Sequence, residues 1–132
     1  MIRTVQFTGV TIANNVTYLT AAIDPKNAQW ADLVLVGTMG ANLVGSPTFD
    51  IHSHLSVNNG VTYSDFVEAE YGSLAGKASV KLGTTSINAL SSRLMMRNRP
   101  NTSGVYLKFT VVNYTGQSFT GTLTFIFNVD IT

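Results

Sequence analysis

Cysteine is absent from all 132 residues, which excludes disulfide staples and thiolate metal sites, so the fold is held by packing and hydrogen bonding alone. Charge is scarce as well. Charged residues make up 11% of the chain, with eight basic side chains against seven acidic ones and a net charge of +1, where soluble domains usually carry roughly 25%. Neutralising several phosphates needs a clustered basic face, so nucleic acid is not an expected partner. No apolar run reaches the length of a membrane-spanning helix, and residues 1–7 alternate polar and apolar instead of forming the apolar stretch of a signal peptide. A membrane is therefore not an expected partner either. Neither a Gly-x-Ser-x-Gly elbow nor a phosphate-cradling glycine loop occurs. An enzyme is not expected.

What the chain does contain is hydrophobic residues, at 45%, set among Thr, Ser, Asn and Gly. Such a surface is weakly hydrated, and a net charge near zero offers little repulsion between copies, so association is favoured. Period-two alternation is the dominant pattern. Leu123, Phe125, Phe127, Val129 and Ile131 are apolar with mostly polar residues between them, and Val105, Leu107, Phe109 and Val111 alternate with Tyr106, Lys108 and Thr110. Both read as strands with one buried face, joined through a glycine-containing loop. The same pattern predicts strands over residues 3–7, 15–23, 32–38, 48–56, 66–71 and 77–82, with shorter ones near Ser86 and Leu94. Leu33 to Val36 is continuously apolar, as expected of a central strand covered on both faces, while residues 77–82 show an edge pattern. Asn58-Asn59-Gly60, Gly45-Ser46-Pro47 and Arg99-Pro100 supply turn chemistry. One helical turn is predicted over residues 25–32, capped by Asp24 and opened by Pro25. About eight short strands with little or no helix predict an all-β, antiparallel β-sandwich of jelly-roll type, a single domain over residues 1–132.

Four groups of residues carry candidate chemistry. Asp50, His52 and His54 share one face of a predicted strand, and His-x-His can ligate a metal. The chain holds only these two histidines, so the third ligand would have to be Asp50 or a distant carboxylate such as Asp65 or Glu68. The expectation is a solvated polar face with no metal and no cofactor. Asp65, Glu68 and Glu70 offer carboxylates for glycoside chemistry, but nothing marks a cleft around them. Arg93, Arg97 and Arg99 lie beside Met95 and Met96, a combination common at contact surfaces. With the terminal Met1, Ile2 and Arg3, whose strand is suited to pairing with a neighbour, they form the expected interface. Finally, Trp30, Tyr18, Tyr63, Tyr71, Tyr106 and Tyr114 are candidates for stacking on sugar rings, Trp30 equally for capping the core. Asn15, Asn101 and Asn113 each begin an Asn-x-Ser/Thr triplet, relevant only in a secretory cell.

Several stretches carry a family resemblance: Ala31-Asp32-Leu33-Val34-Leu35-Val36-Gly37, Phe49-Asp50-Ile51-His52-Ser53-His54-Leu55-Ser56 with its Asn58-Asn59-Gly60 turn, and Tyr63-Ser64-Asp65-Phe66. Further along come Arg97-Asn98-Arg99-Pro100, residues 104–111 and Gly121-Thr122-Leu123-Thr124-Phe125. Together they resemble the small decoration, or cement, proteins of tailed bacteriophage capsids, with Ser56-Val57-Asn58-Asn59-Gly60 standing where that family has Ser-x-Asp-Gly. The resemblance implies a jelly-roll-like structural protein on the outer capsid surface of a virion. As a dimer or trimer, it would bind the major capsid protein and stabilise the lattice by mass action. A carbohydrate-binding β-sandwich module and a tail or fibre subunit are the alternatives.

Overall fold

The computed structural model describes residues 1–25, 28–56, 58–63, 75–79, 83–95 and 105–129. These residues form two antiparallel sheets. The larger runs in the order β1 (Ile2–Ile12), β9 (Phe119–Val129), β3 (Ala28–Met39) and β6 (Ser86–Leu90), with the two-residue β7 (Leu94–Met95) also on β3. The smaller runs β2 (Thr17–Leu19), β8 (Tyr106–Asn113), β4 (Thr48–Ser56) and β5 (Ala75–Ser79). Seven of these nine strands have five residues or more, so the predicted all-β sandwich is the fold.

Alternation explains which face each strand buries. Leu107, Phe109 and Val111 of β8 point inward between half-exposed neighbours, and Leu123, Phe125 and Phe127 of β9 do the same in the opposing sheet. The layers meet through rings: Phe109 lies 4.5 Å from Phe125, and Phe49 meets Phe119 edge-on at 5.5 Å. Each ring so buried contributes about 1.5–3 kcal/mol in transfer free energy. Ser53 sits among them fully buried.

Where a ladder is interrupted, side chains take over its hydrogen bonds. The Thr20 N–H donates to the Phe109 carbonyl at 2.9 Å, and the Phe109 N–H donates back to Thr20 Oγ1 at 3.0 Å. Ser91 plays the same part on β3, its N–H donating to the Leu33 carbonyl and its Oγ accepting from the Leu33 N–H, both at 2.9 Å. Asn113 goes further, because it connects the two sheets. Its buried carboxamide donates to the Ile12 carbonyl at 2.9 Å and the Gln117 carbonyl at 2.8 Å. Its oxygen accepts from the Thr115 N–H at 2.9 Å and the Thr115 hydroxyl at 2.6 Å. An amide engaged in four bonds in the interior is a structural group, so the triplet at Asn113 does not mark a glycosylation site.

Several expectations change. The turn predicted over residues 25–32 gives way to a strand beginning at Ala28, because Trp30 and Ala31 pair with β9 on one side and β7 on the other. Among the described residues there is no helix. The strand predicted over 15–23 shrinks to β2, since Asn15 takes φ 62° and Ile23 makes only an isolated bridge to Leu107. Leu33 and Leu35 are buried, but Val36 on the opposite face is 47% exposed, so β3 is covered on one side only. The strand predicted over 66–71, and residues 80–82 of another, lie outside the described residues. Asn59 and Gly60 do adopt the positive φ that their turn required, at 61° and 80°.

Replacing Asn113 by Ala removes the donor to the Ile12 carbonyl and the acceptor of the Thr115 N–H in the interior, while the Thr115 hydroxyl keeps the Gln117 carbonyl as its acceptor. The expected loss is about 2–4 kcal/mol of folding stability, read as a lower denaturant midpoint with an unchanged slope.

Candidate functional site

The loop after β4 is built by its own side chains. Ser56 Oγ donates to Asn58 Oδ1 and accepts from the Gly60 N–H, both at 2.8 Å. Asn58 Oδ1 also accepts from the Thr62 N–H at 3.0 Å, while Asn58 Nδ2 donates to Thr62 Oγ1 at 2.8 Å. This local closure sets the positive φ at Asn59 and Gly60 and delivers Tyr63 back toward the sheet. There the Lys108 ammonium sits 4.6 Å from the centre of the Tyr63 ring, a cation–π contact that braces the ring.

The result is an open basin of about 400 Å³ lined by Ala21, Ala22, Asn59, Gly60, Tyr63, Tyr106 and Lys108. Small residues make the room. A Cβ on Gly60 would stand 3.2 Å from the Tyr63 hydroxyl and 3.9 Å from the Tyr106 ring, so a hydroxyl and a ring meet at the one lining position without a side chain. Aromatic faces suit the C–H surface of a flat ligand, and the Asn59 carboxamide with the Lys108 ammonium supplies hydrogen-bonding groups to its rim. Lys108 is the basin's single charged residue, which favours a neutral or anionic occupant.

The other candidates lie elsewhere. Asp50, His52 and His54 follow one another along β4 opposite Val112, Thr110 and Lys108, and none of the three lines the basin. Residues two apart on a strand are about 6.5 Å apart, and among the described residues no group of three His, Cys, Asp or Glu gathers around one point. His54 Nε2 instead lies 3.3 Å from Thr110 Oγ1. Trp30 is not in the core. It lies half-buried on the outer face of the larger sheet, with the Arg93 guanidinium 3.6 Å from its ring centre. Arg93 also donates through Nε and Nη2 to the two Asp32 carboxylate oxygens at 3.1 and 3.0 Å. That hydrogen bonding raises its pKa above the ordinary guanidinium value. Arg3 turns inward as well, donating to the Asp24 carbonyl and resting 5.2 Å from the Phe127 ring centre. Met1 and Ile2 are exposed, at 66% and 56%. The backbone of Met95 pairs with Trp30. Arg97, Arg99, Met96, Asp65, Glu68, Glu70 and Tyr71 lie outside the described residues.

No protein-family profile and no curated protein sequence matches the chain. Its backbone is similar to solved β-sandwich structures. The C-terminal family 6 carbohydrate-binding module of LamC, a marine laminarinase from Zobellia galactanivorans, aligns with a TM-score of 0.55. The identity is 11%, over 93% of this chain and 98% of that one. A protein from Sulfurospirillum deleyianum aligns with a TM-score of 0.51 at 7% identity, over 98% and 99% of the two chains. These likenesses establish the jelly-roll-like sandwich. A chain from the capsid of Helicobacter pylori bacteriophage KHP30 reaches a TM-score of only 0.18 at 10% identity, over 89% and 96%, and has no bearing on the fold.

Replacing Asn58 by Ala removes the acceptor and donor that close the loop. Stability is expected to fall by about 1–2 kcal/mol, with faster amide exchange at Gly60 and Thr62 than at the core strands.

Proposed function

We propose that the chain is a non-catalytic recognition module that binds a saccharide in the basin formed by Tyr63, Tyr106, Asn59 and Lys108. The observation that carries this reading is that the Tyr63 hydroxyl and the Tyr106 ring meet at Gly60, in an open basin also lined by the Asn59 amide and the Lys108 ammonium. A sugar ring offers an apolar C–H face and a polar hydroxyl edge, and this lining answers both at once. The fold it shares with a carbohydrate-binding module is consistent with the reading but does not select it.

Isothermal titration against neutral and uronate-containing oligosaccharides tests it. Binding is expected to weaken about tenfold, roughly 1.4 kcal/mol, when Tyr106 is replaced by Ala, while thermal stability stays near that of the parent. Absence of heat with every saccharide at millimolar concentration, or an affinity indifferent to Tyr106, would sink the proposal.

A second reading, a structural protein on the outer surface of a phage capsid, is favoured by a separate observation. The outer face of the larger sheet sets Val34 beside Leu90 and Thr124, and Val36 beside Thr122. Leu90 is 59% exposed and Val36 47%. A flat, nearly uncharged apolar and threonine surface suits docking on another protein. Co-sedimentation with undecorated capsids is its measurement: saturable binding, lost when Val36 and Leu90 are both replaced by Asp, is the expected result, and a protein that stays in the supernatant rejects it.

A further inference from the structure

The two edges of the larger sheet are finished differently. On the β6 side, an isolated bridge joins Ala78 to Ser91 and ties the smaller sheet's edge strand β5 to the chain leaving β6. On the other side, β1 pairs with β9 and, among the described residues, with no further strand. It is also long, at 11 residues, against 3 for β2 and 5 for β5 at the edges of the smaller sheet.

An open edge presents a row of backbone donors and acceptors, and sheets usually blunt it with lysine, proline, a bulge or brevity. β1 contains neither lysine nor proline. Its one charged side chain, Arg3, is turned inward onto the Asp24 carbonyl and the Phe127 ring. Its one interruption is the register shift between Phe7 and Val10, where Gly9 takes φ 64°. Residues 2–7 are left as a straight strand of Ile, Thr, Val, Gln and Phe with no outward charge, a composition that favours pairing.

We propose that this edge pairs with the same edge of a second copy of the chain, antiparallel about a two-fold axis near Val5, so that the larger sheets of both copies become one. Identity of the partner follows from the edge itself. Two identical uncharged strands do not repel, the net charge of +1 adds little repulsion, and a two-fold contact requires only a surface complementary to itself. In that register Thr4 of one copy lies opposite Gln6 of the other; Gln6 Nε2 donates to Thr124 Oγ1 of its own chain at 3.2 Å, and its Oε1 would accept from the Thr4 hydroxyl across the axis. Ile2, at 56% exposure, gains cover. In this register residues 3–7 pair with each other, five per copy, and Ile2 faces Thr8 beside the register shift, so the contact is small and the dimer forms in the micromolar range. The proposal is independent of saccharide binding, since no residue of 2–7 lines the basin.

Sedimentation velocity of the full chain between about 1 and about 200 µM is the test, run beside a Thr4→Lys/Gln6→Lys variant that sets ammonium groups against each other across the axis. The parent is expected to pass from monomer to dimer, and the variant to need roughly tenfold more protein or greater, with an unchanged circular dichroism spectrum. Hydrogen exchange on the parent gives a readout independent of the variant's folding: amides of residues 2–7 should gain protection as concentration rises. A parent that stays monomeric throughout overturns the proposal. So does a folded variant that dimerises as readily, or a dimer whose β1 amides exchange at a rate independent of concentration, which would place the contact on another surface or another partner on this edge.

Discussion

β9 lies between β1 and β3 and is in register with both over most of its length, from Phe119 to Asn128. Among its described residues the inward side chains, Phe119, Leu123, Phe125 and Phe127, are fully buried. The strand thus fixes the larger sheet in both directions, laterally through its ladders and vertically through its rings against Phe49 and Phe109. Without it β1 has no described partner strand and β3 keeps only the short β6 and β7. The close approach of Gly37 to Gly121 belongs to the same constraint. A Cβ on either would run into the backbone of the facing strand, so the β3–β9 contact admits no side chain at that rung.

The legible part of this fold was the part governed by local period. β8 and β9 alternate so regularly that their buried faces follow from the residues alone, and the Asn59-Gly60 turn follows from φ preferences. What could not be read was decided by contacts between distant segments. Asp24 and Pro25 carry helix-start chemistry, yet pairing of Trp30 and Ala31 with β9 and β7 outweighs it. The unbroken apolar run of Leu33 to Val36 suggested cover on both faces, because sequence does not reveal that one face of the sheet lacks a layer over it. Asn113 looked like part of a modification triplet. Its true signal was Thr115 two residues on, which folds back onto the amide.

The basin shows the same division. Tyr63, Tyr106 and the glycine turn each stood out in the sequence, but their meeting depends on the register of β4 against β8, which sets Ser56 opposite Tyr106. A single-residue slip would send Tyr106 to the core face. The shape of the basin thus rests on a backbone ladder as much as on the residues that line it. The arginines illustrate the converse. As sequence, Arg3 and Arg93 were free cations at a contact surface; in the fold their charges are already engaged, Arg93 by Asp32 and Trp30 and Arg3 by a carbonyl and Phe127.

The position of Asn113 also governs how the sandwich bears load. Ile2 and Asn128 stand opposite each other at one end of the β1–β9 ladder, and Ile12 and Phe119 at the other. A force that parts the strands at the Ile2 end opens the ladder like a zipper, one rung at a time, and meets little resistance. At the far end it reaches the Ile12 carbonyl, which Asn113 of the opposite sheet holds. The carboxamide works there as a catch, so that tearing β1 away completely must also disturb the second sheet.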